Sequence, residues 1–441
     1  MPRISFLALA LAVTNAAFAQ QAIATPPASI TLEQAIALAR ANEPNFAAAV
    51  AARGVSALDH SIARAALLPN ISYHNQVLYT QPNGLTNGGG PTGNQAAPKF
   101  IANNAVREYA SQGVVNETLG VAQVAGLRRA DAAAAQAAAE LEIARRGLVA
   151  AVTGLFYGLK AADHRVVIAT EAHGEAEDFV HLTSEREQQR EAAHADGLKA
   201  QLQEQQRGRE MADAKLAADK ARLELGVLLF PDPRTPYTLV VPDAPESLPS
   251  RADVEEAAGK NNAELKSALA ATKESEAEVL AARAAYLPSL GLNYTYGVDA
   301  PQYASTGPDH VRNLGYAASV TMDVPVWDWL STEHKVKQSE IRRDAVRVAL
   351  TATQRRLIAR LDESYAEASA ARDQLASLDA SVQTAAESLR LTKLRYTGGE
   401  ATVLEVVDAQ TAYVSAANAR EDGRVRYEGA LADLQTLTGT M

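Results

Sequence analysis

The sequence predicts a mostly α-helical chain with a smaller part of amphipathic β-strands, built from one duplicated unit. The segment ARAALLPNI at residues 63–71 returns as ARAAYLPSL at residues 282–290, an offset of 219. In both copies a helical pattern ends at a proline, alternating strands follow, and a long alanine-rich helical stretch comes next. A unit that occurs twice at a fixed offset is a structural building block, so the duplication sets the architecture.

The composition of the 441 residues favours thin helix–helix packing and excludes a nucleic-acid-binding surface. Aromatic residues make up only 5% of the chain, and alanine is the commonest apolar residue. The formal net charge is −10, and no tract rich in lysine or arginine occurs. An acidic chain without such a tract has no electrostatic footprint for nucleic acid.

Residues 1–19 have the pattern of a secretory signal peptide. Arg3 precedes a short apolar run at residues 4–13, and Ala17-Phe18-Ala19 forms a cleavage site. The run is shorter than the roughly 20 residues that a membrane-spanning helix needs. We therefore expect an exported protein, and the chain contains no cysteine that could form a disulfide.

Four segments alternate apolar and polar residues and are predicted to be strands, at about 70–81, 109–119, 289–299 and 314–324. Period-two apolarity over about ten residues is typical of a tilted strand that crosses an outer membrane. An ordinary half-buried strand explains any one of them alone, but four in an exported chain favour the membrane. The Gly/Pro/Asn-rich segments at residues 82–99 and 299–310 are predicted to be exposed loops.

Two long helical hairpins are predicted at about 121–229 and 327–438. Residues 330–395 contain neither glycine nor proline, and small apolar residues recur there at three- and four-residue spacing. The first repeat is then 20–230 and the second 250–441, and the Pro-rich linker at 231–249 is expected to be extended.

The chain resembles the TolC-type outer-membrane efflux proteins, the outer membrane factors of tripartite export systems. The resemblance rests on the paired ARAA-x-LP segments, on VPVWD at residues 324–328, on YTGG at 396–399 and on VLEVVDAQ at 403–410. It implies a homotrimeric α/β-barrel duct in which each subunit adds four strands to a twelve-stranded transmembrane β-barrel. It also implies an outer-membrane location in a Gram-negative-type cell, a long periplasmic helical extension, a periplasmic adaptor and an inner-membrane pump of the RND, ABC or MFS type.

A physical argument supports oligomerisation independently of that resemblance. Four strands cannot close a barrel, and each unpaired backbone group at an open edge in lipid costs several kcal/mol. If the strands span a membrane, several chains must therefore join.

The resemblance also implies the site residues. Glu405 and Asp408 correspond to an acidic ring that narrows the pore and favours cations, although a solvated helix face explains the pair equally well. Tyr396 and Asp196 correspond to a latch that holds the entrance shut. Ala401 stands where an arginine usually reinforces that latch, so we expect a weaker lock. The predicted hairpin tips, which would contact the adaptor, are Thr397, Gly398, Gly399, His194 and Ala195.

No enzyme, cofactor or metal site is predicted. The sequence shows no nucleophile–base motif, phosphate loop or catalytic carboxylate pair. His164, His173 and His181 lie in an acidic stretch with Glu171, Glu175 and Asp178, but His173 and His181 are too far apart for a metal site of the i, i+4 kind.

The function predicted is an exit duct of a tripartite efflux or type I secretion system, which passively conducts substrates from pump and adaptor across the periplasm and the outer membrane. The alternatives are a periplasmic adaptor protein and a soluble coiled coil. An adaptor would carry one hairpin flanked by β-domains, whereas this chain has two hairpins, each preceded by a pair of strands. The sequence does not reveal the cargo.

Overall fold

The computed structural model describes residues 29–79, 107–240, 247–308 and 310–440. The predicted signal peptide at 1–19, the predicted loop at 82–99 and residues 241–246 of the linker lie outside the described residues. The elements of the described ranges are β1 (Ser29–Ile30), α1 (Leu32–Asn42), α2 (Pro44–Ala65), β2 (Asn70–Tyr79), β3 (Arg107–Leu119), α3 (Val121–Gln188), α4 (His194–Leu229), β4 (Thr238–Leu239), α5 (Arg251–Asn261), α6 (Ala263–Ala284), β5 (Ser289–Ala300), β6 (Leu314–Asp323), α7 (Ser331–Thr397) and α8 (Val403–Thr438).

The duplication seen in the sequence is present in the structure. Helices α1 and α2 have 11 and 22 residues, and α5 and α6 repeat those lengths 219 residues later. Beyond the strands the offset is 209, because α3 ends at 188 and α7 at 397, and α4 and α8 begin at 194 and 403. Helices α4 and α8 both have 36 residues. The two hairpins can therefore be compared residue by residue at an offset of 209.

Strands β2, β3, β5 and β6 form one antiparallel sheet in that order. The register places Val115 beside Tyr294, which lies beside Ala318, so the apolar side chains of β5 and β6 share one face. The apolar face includes Leu290, Leu292, Tyr296, Val320 and Met322, whereas the opposite face includes Asn116, Asn293, Thr295, Ser319 and Thr321. Strands β2 and β6 form the two edges, and each has one side without a partner strand within the described chain.

The long helices dominate the molecule. Helix α3 has 68 residues and α7 has 67, so each is about 100 Å long at 1.5 Å per residue. Within the described ranges, no helix combines the length and the apolarity that a membrane-spanning helix requires. Their buried residues are mainly alanine and other small or medium side chains, which lets the helices approach closely.

The thickest apolar core lies where the short elements meet the hairpins. Ile30, Phe156, Leu225 and Leu229 are almost completely buried there, and Tyr237 packs against Phe230. In this region β1 pairs in parallel with β4.

The linker at 231–249 was expected to be extended, and its described part differs from that expectation. The chain first turns, because Asp232 accepts hydrogen bonds from the amides of Arg234 and Thr235 through its side chain and its carbonyl. It then forms β4, which joins the linker to β1 at the start of the described chain.

An ion-pair cluster fastens α3 to the end of α8. Glu142 accepts hydrogen bonds from Arg145 and Arg146, and Arg146 also donates to the carbonyl of Thr436 at 3.1 Å. The hydrogen bond from Arg145 lowers the pKa of Glu142 to about 2. Glu142 therefore stays ionised well below neutral pH and holds the arginine that satisfies a carbonyl of the last helical turn.

The linker approaches α4 closely at Gly226, where only a glycine fits. A substitution at this residue therefore tests the packing of the linker against α4. A Cβ at Gly226 would lie 2.5 Å from the carbonyl oxygen of Pro233, whereas a Cβ at the helical Gly259 would meet nothing within 4 Å. We expect Gly226→Ala to destabilise the fold by about 1–3 kcal/mol through overpacking. Gly259→Ala should be neutral or stabilising, because alanine is the better helix former. Thermal unfolding of the purified chain measures both, and an unchanged midpoint for Gly226→Ala would contradict the packing described here.

Candidate functional site at the helix turns

The turns that close the two hairpins have the same backbone design. The amide of Glu191 donates to the carbonyl of Arg186 at 2.8 Å, and the amide of Glu400 donates to the carbonyl of Arg395 at 2.8 Å. Both turns need a left-handed residue, which is Arg190 in the first and Gly399 in the second. Glycine adopts this conformation without steric penalty and arginine does not. The first turn therefore lacks the glycine that marks the second turn in the sequence.

Tyr396 lies at the centre of an apolar cluster to which all four long helices contribute. The tip cluster, as we call it, consists of Phe179, Ala200, Tyr396, Val403 and Val406. The Tyr396 side chain is 4% exposed, and its ring centroid lies 5.0 Å from that of Phe179. Its hydroxyl oxygen lies 3.3 Å from Oγ1 of Thr183. The cluster thus joins the two hairpins at their ends.

Arg186 provides a cationic contact that reasoning from the sequence missed. The Arg186 guanidinium lies 5.0 Å from the Tyr396 ring centroid and donates a hydrogen bond to the Tyr396 carbonyl. Its Nε also lies 3.5 Å from a carboxylate oxygen of Glu191. The resemblance placed the reinforcing arginine at the position of Ala401, on the same hairpin as Tyr396. The structure supplies one from the opposite hairpin instead. The repeat contains a signal for this arginine, because Thr183 and Arg186 recur as Thr392 and Arg395 at the offset of 209.

The two predicted latch residues, Tyr396 and Asp196, lie at one cleft. Within the described chain they form no hydrogen bond with each other. Tyr396 and Asp196 both line a cleft of about 390 Å³, together with Arg186. However, the Tyr396 hydroxyl meets Thr183, and Asp196 lies 3.2 Å from Nζ of Lys199. Lys199 is one turn further along α4, so it is a local ion-pair partner for that carboxylate.

Glu405 and Asp408 are both exposed in the first turns of α8. Glu405 closes a capping box, because its carboxylate accepts from the Thr402 amide at 3.2 Å while the Thr402 hydroxyl accepts from the Glu405 amide. Arg395 lies 3.4 Å from the same carboxylate. Asp408 is three residues further along the same face. One predicted ring residue therefore also stabilises the helix start, where the helix dipole favours a negative charge.

The five predicted tip residues are exposed. Thr397 donates its hydroxyl hydrogen to the Leu394 carbonyl at 2.7 Å and closes the end of α7. His194 begins α4, and its Nδ1 lies 2.7 Å from a carboxylate oxygen of Glu187 across the turn. Gly398, Gly399 and Ala195 add a surface with little side-chain bulk.

Comparison with known proteins relates the second half of the chain to one family. Residues 255–440 match the sequence profile of the family described as "Outer membrane efflux protein". The second half of this chain is therefore similar to the outer membrane efflux proteins. The resemblance to TolC-type proteins predicted from the sequence is thereby confirmed, and so is the fold class. The family match and the solved outer membrane channels also support an outer-membrane location with a periplasmic helical extension.

The individual relatives are distant in sequence but close in fold. The chain is 26% identical over 195 residues to the proteases secretion protein PrtF of Dickeya chrysanthemi, a match covering 43% of this chain and 42% of PrtF. It is 25% identical over 158 residues to the outer membrane protein OprJ of Pseudomonas aeruginosa, covering 36% of this chain and 33% of OprJ. The chain thus spans less than half the length of these relatives.

A solved structure matches over a larger share of the chain. The Campylobacter jejuni CmeC outer membrane channel superposes with a TM-score of 0.77 at 16% identity, covering 92% of this chain and 85% of CmeC. The proteins matched are channel, secretion and outer membrane proteins rather than enzymes.

The contacts of Arg186 give a test of the tip cluster. We expect Arg186→Ala to speed amide hydrogen exchange at residues 396–403 by about tenfold or more, because a charge-assisted hydrogen bond of roughly 1.5–3 kcal/mol is lost. Arg390→Ala is the matched control, because it removes only an exposed arginine that pairs with Glu387 on its own helix. Equal exchange in the two variants would show that Arg186 does not hold the tip.

Proposed function

We propose that three copies of this chain form an exit duct of the outer membrane, which passively conducts substrates from an inner-membrane pump and a periplasmic adaptor to the outside. One observation carries the proposal. An open-edged sheet with one apolar and one polar face continues directly into helices about 100 Å long.

The sheet supports the trimer. All ten residues of β6 are exposed in the single chain, and β2 is nearly as exposed. If β6 of one copy pairs with β2 of the next, three copies supply twelve strands and no edge remains. The apolar face then contacts lipid and the polar face lines water, which is the arrangement that a transmembrane barrel needs.

The hairpins support a periplasmic duct that ends at the turns. Each chain supplies four long helices, so three chains supply twelve around a common axis. The exposed residues Thr397, Gly398, Gly399, His194 and Ala195 would then form the end that contacts the adaptor. The pump, of the RND, ABC or MFS type, would act through that adaptor. A periplasmic adaptor was the alternative function, and the family match and the channel-like fold favour the duct.

The entrance residues fit the same proposal. Threefold symmetry would bring Glu405 and Asp408 of all copies together, so that six carboxylates surround the narrow end and favour cations. Tyr396 and Asp196 would oppose opening, and Arg186 would fasten Tyr396 from the neighbouring hairpin. The contact of Arg186 with Tyr396 would compensate for the arginine that Ala401 replaces, so the closed entrance would be held more firmly than the sequence predicts. The proposed duct needs no cofactor and catalyses no reaction.

Cross-linking tests the trimer. The chain has no cysteine, so a disulfide can form only between introduced thiols. Each variant of the panel combines Tyr73→Cys on β2 with one cysteine on β6, placed in turn from Ala318→Cys to Met322→Cys. After oxidation in outer membranes, we expect a covalent trimer from the variant whose two cysteines are in register. Each single-cysteine variant is the control, because one thiol per chain links at most two copies. A panel that yields only monomers or dimers would contradict closure by three copies.

Single-channel recording tests the acidic ring. We expect Glu405→Gln with Asp408→Asn to lower the cation-over-anion permeability ratio several-fold in planar bilayers, because six charges would leave the entrance. Asp373→Asn is the matched control, since it removes an exposed carboxylate of α7 that pairs with Arg372. Unchanged selectivity in the double variant would remove the ring from the proposal.

Unchanged conductance in Tyr396→Phe and Asp196→Ala would likewise remove the latch.

A further inference from the structure

The first hairpin contains a cluster of metal-ligating side chains that the duct does not need. His173 lies on α3, and Nε2 of its ring is 3.5 Å from a carboxylate oxygen of Glu177, one turn along the same helix. Its Nδ1 is 3.9 Å from a carboxylate oxygen of Glu204 on α4. One ligand atom from each of the three residues lies within 4.8 Å of the others.

The histidine ring is enclosed and has an unused nitrogen. The His173 side chain is 18% exposed. Its Nδ1 is buried and has no hydrogen-bond partner among the described residues. A buried polar atom without a partner costs free energy, so native structures usually satisfy it. A bound cation would satisfy it here.

The surroundings of the ring leave both carboxylates free. Gly208 lies one turn beyond Glu204 on α4, and a Cβ at this glycine would lie 3.4 Å from Cε1 of His173, so this residue faces the ring. Neither Glu177 nor Glu204 forms an ion pair with lysine or arginine in the part of the chain that the structure describes. Both carboxylates are therefore available to a cation.

The second hairpin provides an internal comparison at the offset of 209. The positions of His173, Glu177, Glu204 and Gly208 correspond to Val382, Ala386, Tyr413 and Ala417. The corresponding positions of the second hairpin are thus apolar or aromatic. The shared fold requires no polar group at this level, and the first hairpin alone replaces the layer with three ligating side chains and a glycine.

We propose that His173, Glu177 and Glu204 form a binding site for a first-row divalent transition-metal ion such as Zn²⁺. Imidazole nitrogen and carboxylate oxygen are ligands that these ions accept, and three protein ligands leave a position for water. A single ion binds only one ring nitrogen. With the unpartnered Nδ1 as the ligand, the Glu177 carboxylate, which lies beside Nε2, must turn towards Nδ1 to complete the site. The site links α3 to α4 about 22 Å from the end of α3, since His173 precedes Gln188 by 15 residues. A bound ion would therefore fasten the first hairpin near its turn.

Isothermal titration of the untagged full chain in detergent with ZnCl₂, after treatment with a chelator, tests the site. We expect one Zn²⁺ per chain. His173→Val should weaken binding by about 100-fold or more, because even the loss of an outer-shell partner costs 10–100-fold. Glu177→Gln and Glu204→Gln should each weaken it by about tenfold or more. The variant with both His173→Val and Glu204→Tyr reproduces residues of the second hairpin, so it should fold and bind no Zn²⁺ at this site.

His194→Ala is the matched control, because it removes an exposed histidine that also lies beside a glutamate, Glu187. It should leave the affinity unchanged. The proposal is overturned if His173→Val binds Zn²⁺ as the parent chain does, if the parent chain shows no saturable binding, or if His194→Ala abolishes it. Circular dichroism of each variant separates a lost ligand from a lost fold.

Discussion

Along the outer edges of β2 and β6, the backbone amides and carbonyls have no partner strand within the described chain, and this constraint governs the rest of the molecule. In water such an edge is a site for association, and in lipid each unpaired group is costly. The sheet is apolar on one face and polar on the other, so it is suited to a boundary between lipid and water. The single chain therefore suits the proposed closed assembly, in which neither edge would remain open.

The duplication explains how one chain forms both the four-stranded sheet and the two helical hairpins. Each copy delivers two strands and one hairpin, and the hairpins keep the same turn geometry at an offset of 209. The two copies have nevertheless diverged in sequence, even at positions where the backbone conformation is shared. Arg190 and Gly399 fulfil the same backbone requirement with different residues. The layer around His173 is polar in one hairpin and apolar in the other, which points to a role beyond packing.

The tip cluster connects the two hairpins and depends on contacts across them. Tyr396 belongs to the second hairpin, whereas Phe179, Thr183 and Arg186 belong to the first. Movement of one hairpin against the other must therefore break an aromatic contact and a cationic one. This gives the turns a physical coupling that lies close to Glu405 and Asp408, the residues proposed to face the pore.

The sequence by itself determined the repeat, the helical hairpins and the alternating strands, because helix and strand periodicity and proline positions are local properties of the chain. The same holds for Thr402 and Glu405, whose capping box needs only three residues of separation. Only the tertiary structure decided which side chains meet between helices. Arg186 contacts Tyr396 across 210 residues, and Glu204 approaches His173 from the neighbouring helix, so no spacing rule on one helix could find either pair. The part of the linker that forms β4 was missed for the same reason, since its partner strand lies some 200 residues earlier in the chain.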